Sequence, residues 1–151
     1  MLSFADNHAD LATATIRQAI EVRLRRAFGV FGKVRKSDDS IHPVPLSDLL
    51  DAIDVNKATV TFPIRFENIK RINGWTNMYL HAAIKLYAWC PPRALAFIRE
   101  FILGSSHNSK AGMILDIATF DKIRDAIRQR HESSDFELQL PPADVCEVMI
   151  R

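Results

Sequence analysis

The sequence predicts a mainly α protein: a helical bundle of four to five helices with a small C-terminal α+β appendage. Three observations carry this. Apolar residues recur at helical spacing over long windows of the first two thirds of the chain. Pro63, the Pro91-Pro92 pair and Gly104 fall at the edges of those windows, as start and stop signals should. Beyond residue 112 the period shortens, and Phe136-Glu-Leu-Gln-Leu140 alternates as a half-buried strand does. We therefore expect a bundle over residues 1–104 and a C-terminal extension over 105–151, packed on it as one compact unit.

The first helix is predicted from about Ala9 to Val34. Ile16, Ile20, Leu24, Ala27 and Val30 share an arc, and Arg17, Glu21 and Arg25 run down the exposed side as i, i+4 pairs. Arg23 falls inside the apolar arc, where its guanidinium must snorkel, pair with a carboxylate or reach a ligand. Gly29 and Gly32 weaken the final turns. Lys36 to Pro45 reads as a loop. Ser47 is the expected cap of a short helix through Asp54 that buries Leu46, Leu49, Leu50 and Ile53. Ala58 to Phe62 reads as an extended connector rather than a strand.

The central helix, Phe66 to Leu86, organises the rest. Ile69, Ile72, Thr76 and Tyr79 form its apolar face, and Asn73, Asn77 and His81 make a polar line along the edge. Gly74 inside it suggests either the close approach of another helix or a bend, and Trp75 lies off the main stripe. Pro91-Pro92 marks a break, after which a helix runs from Pro92 to Leu103 with Leu95, Ile98, Phe101 and Ile102 buried, followed by a polar loop over Ser105 to Lys110. Met113 to Ile117 is a candidate strand, Thr119 a candidate cap, and Phe120 to His131 a helix. Phe136–Leu140 and Val145–Ile150 are expected to pair with each other across Pro141-Pro142.

Composition bounds the function without choosing it. With 48% hydrophobic and 25% charged residues, a packed domain is expected and wholesale disorder is not. The net charge of +2 is small, although basic residues crowd the first 36 positions. Two cysteines, Cys90 and Cys146, give neither a disulfide framework nor a zinc spacing. No apolar run approaches the roughly 20 residues of a membrane span, so a cytoplasmic protein is expected. Phosphate loops, dinucleotide fingerprints, zinc helices and nucleophile elbows are all missing from the sequence, and no cofactor is expected.

In-line cleavage of RNA by its own 2′-hydroxyl needs only a proton-transfer group and a cation beside the phosphorane. His81 can supply the first, Arg23 the second, and Asn77 can orient either; Asn73 extends the line, with Lys70, Arg71 and Trp75 beside it for binding. The plainer alternative is that Asn73, Asn77 and His81 satisfy one another and nearby backbone groups.

The basic first helix and the segment Arg71-Ile-Asn-Gly-Trp-Thr-Asn77-Met-Tyr-Leu-His81 resemble the HEPN superfamily of small helical proteins found among prokaryotic toxins and defence systems. The likeness covers roughly Thr15 to Leu103. It implies RNA binding or metal-independent endoribonuclease activity, a homodimer, and an antitoxin or other protein partner. Catalytic members carry arginine, four to six residues, then histidine; here nine residues separate Arg71 from His81. Arg35 with His42, and Arg124 with His131, meet the spacing elsewhere, and the latter pair shares a predicted helix face. The alternative from another class is a non-catalytic helical module that binds a protein through Trp75, Trp89 and neighbouring apolar surface.

Overall fold

A computed structural model describes residues 4–82, 90–103 and 112–151. Among them the chain forms five α-helices and six short strands, a mainly α fold with a small α+β part. Helix α1 (Phe4–Phe28) turns its Ile16, Ile20, Leu24 and Ala27 side inward. It ends six residues earlier than its apolar pattern suggests, because Gly29 adopts a left-handed φ of 68° and the Val30 N–H bonds back to the Arg25 carbonyl at 3.0 Å. That is the glycine-terminated helix end expected of a Schellman motif.

The residues freed by this stop become strand β1 (Gly32–Arg35), and the predicted loop after it contains strand β2 (Ile41–Pro43), antiparallel to β1. The turn between them is held by the Asp38 carboxylate, which accepts from the Ser40 N–H and hydroxyl, with Asp39 at φ 55°. Helix α2 (Leu46–Asn56) buries Leu49, Leu50, Ala52 and Ile53. Its N-cap is Pro45, not Ser47: Pro45 is extended and the helix starts directly after it, so no side chain caps the first turn.

Strand β3 (Val60–Thr61) lies where only a connector was predicted. Its partner is β4 (Ile114–Leu115), antiparallel and more than fifty residues away, beyond the reach of a local pattern. Helix α3 (Phe66–Ala82) follows; its predicted continuation to Leu86 and Trp89 lie outside the described residues. Helix α4 (Cys90–Leu103) begins before the proline pair, which occupies its first turn, where the missing N–H costs nothing. Leu95 is exposed, correcting the predicted stripe, while Ile98 and Phe101 are buried. Gly104 and the loop after it lie outside the described residues.

Helix α5 (Ile117–His131) is capped by Asp116 rather than Thr119: the Asp116 carboxylate accepts from the Thr119 N–H at 2.6 Å. Strands β5 (Phe136–Leu138) and β6 (Met149–Ile150) do not pair with each other as predicted. β5 adds antiparallel to β1, giving the order β2-β1-β5, and β6 adds parallel to β4, giving β3-β4-β6. The C-terminal segment thus completes two sheets begun elsewhere.

The core joins α1, α2, α4 and α5 through Phe28, Ile53, Ile98, Phe101 and Phe120, with Phe28 and Phe120 stacked at 5.9 Å between ring centres. Arg23 crosses from α1 to the Glu147 carboxylate at 2.8 Å and the Phe101 carbonyl at 3.3 Å. No described helix is long and apolar enough to cross a membrane.

Candidate functional site

Helices α1 and α3 run antiparallel, fixed at one end by the Tyr79 hydroxyl donating to the Asp10 carboxylate at 2.6 Å. Further along, a cleft of about 390 Å³ opens between them. Arg17, Glu21 and Arg25 line it from α1, Asn73 and Asn77 from α3, and Pro43 to Ser47 with Leu50 from the entry to α2. The size is that of a small-molecule or nucleotide site.

Arg25 builds one wall. It is only 9% exposed, and all five of its N–H positions are used. Nε and Nη2 donate to Glu21 Oε1 at 2.9 and 2.7 Å, Nη1 donates to the Val30 and Phe31 carbonyls at 3.2 Å each, and Nη2 to the Val44 carbonyl at 2.6 Å. This guanidinium is therefore a clamp between α1 and the β2–α2 connection, with nothing left for a ligand. Arg17, two turns earlier and half-buried, has no ion pair or hydrogen bond among the described residues. With Arg25 balanced by Glu21, Arg17 leaves the cleft with one unmatched positive charge.

The opposite wall is under-satisfied. Asn73 is 7% exposed, and its Oδ1, like that of Asn77, is buried without a hydrogen-bond partner. Buried amides without partners are uncommon in folded proteins and costly. Exposure rises along the row: Asn73 is buried, Asn77 half-buried, and His81 exposed with no hydrogen bond among the described residues. Asn73 and Asn77 line the cleft, whereas His81, one turn further along α3, lies outside its lining.

Of the predicted site residues, Asn73, Asn77 and His81 do share one edge of α3. Arg23 does not join them. It is on the other flank of α1, held by Glu147 and Phe101. Lys70 pairs with Asp54 at 2.9 Å, and hydrogen bonds from Lys70 first and then Lys57 hold the Asp54 carboxyl below its ordinary range. Arg71 and Trp75 face away from the cleft and, with Ile72, Cys90, Arg93 and Ala94, line a largely apolar groove of about 300 Å³ between α3 and α4.

Of the spaced pairs elsewhere, Arg124 and His131 turn to different partners, whereas Arg35 and His42 both meet the Phe136 ring. His131 Nε2 lies 2.7 Å from Asp48 Oδ2, whereas Arg124 donates to the Pro141 carbonyl at 2.6 Å and covers the Phe120 ring; burial lowers its pKa from the ordinary arginine value. His42 hydrogen-bonds the Ser40 hydroxyl and meets the edge of Phe136, whose ring Arg35 also covers at 5.6 Å. Among the described residues, no three His, Cys, Asp or Glu side chains are grouped to hold a metal.

Sequence reasoning assigned Arg17, Glu21 and Arg25 to a solvated face and so missed half of the cleft. A signal did exist. Their i, i+4, i+8 spacing on α1 equals that of Asn73, Asn77 and His81 on α3, so two polar rows of one pitch lie on helices long enough to pack together. No protein-family model matches this chain, nor does any curated protein or solved structure.

Proposed function

We propose that the protein binds RNA in the cleft between α1 and α3, in line with the HEPN resemblance of its α3 segment. The observation that carries this is Arg17: a half-buried guanidinium without a carboxylate partner among the described residues, facing two asparagines whose carbonyls lack donors. A cation beside unsatisfied acceptors suits a ligand that presents both phosphate and hydroxyl or base N–H groups. In a catalytic form of this function His81, one turn beyond Asn77 on α3, transfers the proton, Asn77 orients it or the phosphate, and Arg17 takes the charge-neutralising role predicted for Arg23. Homodimerisation would bring a second cleft alongside, as in the resembling family.

Binding of a labelled single-stranded RNA, followed by fluorescence anisotropy, should weaken at least about tenfold in Arg17→Ala, one charge-assisted contact being worth roughly 1.5–3 kcal/mol. For catalysis, wild type and His81→Ala are incubated with total RNA in the presence of chelator. Cleavage lost in the variant supports the nuclease; equal patterns, or none, remove it. Sizing in solution tests the dimer.

Partner binding without chemistry is a second function, favoured by the α3–α4 groove, where Ile72, Trp75 and Ala94 make an apolar floor beside Arg71 and Arg93. Trp75→Ala would then abolish partner capture while leaving RNA binding unchanged.

A further inference from the structure

The β2-β1-β5 sheet carries a second cluster, which shares no lining residue with the α1–α3 cleft or the α3–α4 groove. In register, Lys33 lies opposite His42 and Arg35 opposite Phe136, so these four side chains share one face, with Val34, Ile41 and Glu137 on the other. Phe136 is at its centre. The Lys33 ammonium stands 4.4 Å from the middle of its ring and the Arg35 guanidinium 5.6 Å, while the His42 ring meets it at 86° with 5.3 Å between centres.

The ring is braced and the cations are not. His42 Nε2 lies 3.0 Å from the Ser40 hydroxyl, which donates to Asp38 at 2.6 Å, so the turn holds the imidazole against Phe136. Arg35 reaches Asp38 only at 3.4 Å, with both side chains well exposed, and a phosphate can replace such a pair at little cost. Lys33 has neither a carboxylate nor a hydrogen-bond acceptor among the described residues.

The ring can also be reached. Phe136 and Arg35, with Lys36, Ser37, Ser134 and Asp135, line a hollow of about 560 Å³ between the β1–β2 turn and the loop into β5. An inorganic phosphate would use the cations and leave the ring idle, and an apolar chain would do the reverse. A nucleotide uses both. A phosphorylated tyrosine also carries a ring and a phosphate, but it has no N–H edge to meet the Asp135 carboxylate and the two serine hydroxyls, as a base has. A paired base is already stacked inside its helix, so the base must be unpaired.

We propose that this face is a second contact for single-stranded RNA, with an unpaired base packed against Phe136 in the hollow and Lys33 and Arg35 turning from the ring to the flanking phosphates. This rests on the RNA-binding function above and extends it to a surface outside the cleft.

The test measures binding of a labelled unstructured oligoribonucleotide by anisotropy, with the Tm of each variant. Phe136→Leu keeps apolar bulk without the aromatic face and should weaken binding at least about fivefold, whereas Phe136→Tyr should bind as the wild type does. The double variant Lys33→Gln, Arg35→Gln should flatten the slope of log Kd against log salt by about 1.4, two single-strand phosphate contacts at about 0.7 each. If Phe136→Leu lowers the Tm below the assay temperature, the salt slope decides. Wild-type affinity in Phe136→Leu, a tyrosine variant as weak as the leucine one, or an unchanged salt slope overturns the second contact. Tighter binding of a phosphotyrosine peptide than of RNA also overturns it. Loss of affinity in Arg17→Ala alone then leaves the cleft standing, and no RNA binding by the wild type ends both.

Discussion

Gly74 and Gly29 show how differently one residue type can act in this molecule. A Cβ at Gly74 would meet nothing within 4 Å, and the position is exposed in the middle of α3. Of the two readings of it, a close helix approach or a bend, the close approach is not found among the described residues, and the glycine loosens the helix. Gly74→Ala should raise stability by up to about 1 kcal/mol in urea denaturation. At Gly29 a Cβ would stand 2.5 Å from Pro141 Cγ and 3.0 Å from Cys146 Sγ, at a φ of 68°. Gly29→Ala should destabilise by more than about 1 kcal/mol in the same measurement. Cys146, packed against this turn, has its thiol pKa pushed up by burial, which keeps it protonated and slow to alkylate until the protein unfolds.

At the scale of elements, helix starts decide what each helix can do. Asp116 caps α5, and its hydrogen bond from the Thr119 N–H lowers the carboxyl pKa below the usual 3.8. A depressed folded pKa means the contribution is fully present above the unfolded value of about 3.9 and is lost as pH falls through the folded one. Asp116→Ala should therefore lower Tm at neutral pH, and the gap to wild type should close in titrations taken below about pH 4. Helix α2 has no such cap, and it is the one that ends in the cleft. Helix interiors were legible because their period is local, as in Ile16, Ile20 and Leu24 or Phe120, Ile123 and Ile127. Strand partners were not: β3 and β6 are two residues each and pair with a strand distant in sequence, so neither alternation nor turn chemistry could reveal them. The α3 half of the candidate site could be read for the same local reason. The α1 half could not, since a helical wheel shows that Arg17, Glu21 and Arg25 share a side but not what covers it.

Across the whole molecule, the Arg23–Glu147 pair joins the first helix to the last segment, with Arg26 adding a longer contact to the same carboxylate at 3.8 Å. The Arg23 side chain is 12% exposed and that of Glu147 29%, so the pair is shielded and its loss leaves a charge poorly solvated. A double-mutant cycle with Arg23→Met and Glu147→Gln should return a coupling of roughly 1–2 kcal/mol, and each single variant should cost more stability than the double variant's excess over the other. RNA affinity should not change in any of them, because this pair lies on the other flank of α1 from the cleft.

The same pair carries a consequence for synthesis. Translation delivers α1 long before residue 147, and with it an inward-turned guanidinium whose counter-ion is 124 residues away in the chain. Until residue 147 has emerged from the ribosome that guanidinium lacks this acid, and the third strand of the β3-β4-β6 sheet does not yet exist. Final closure thus waits for residues 147–150 to emerge, and the early helices are held in a looser, more hydrated arrangement until then.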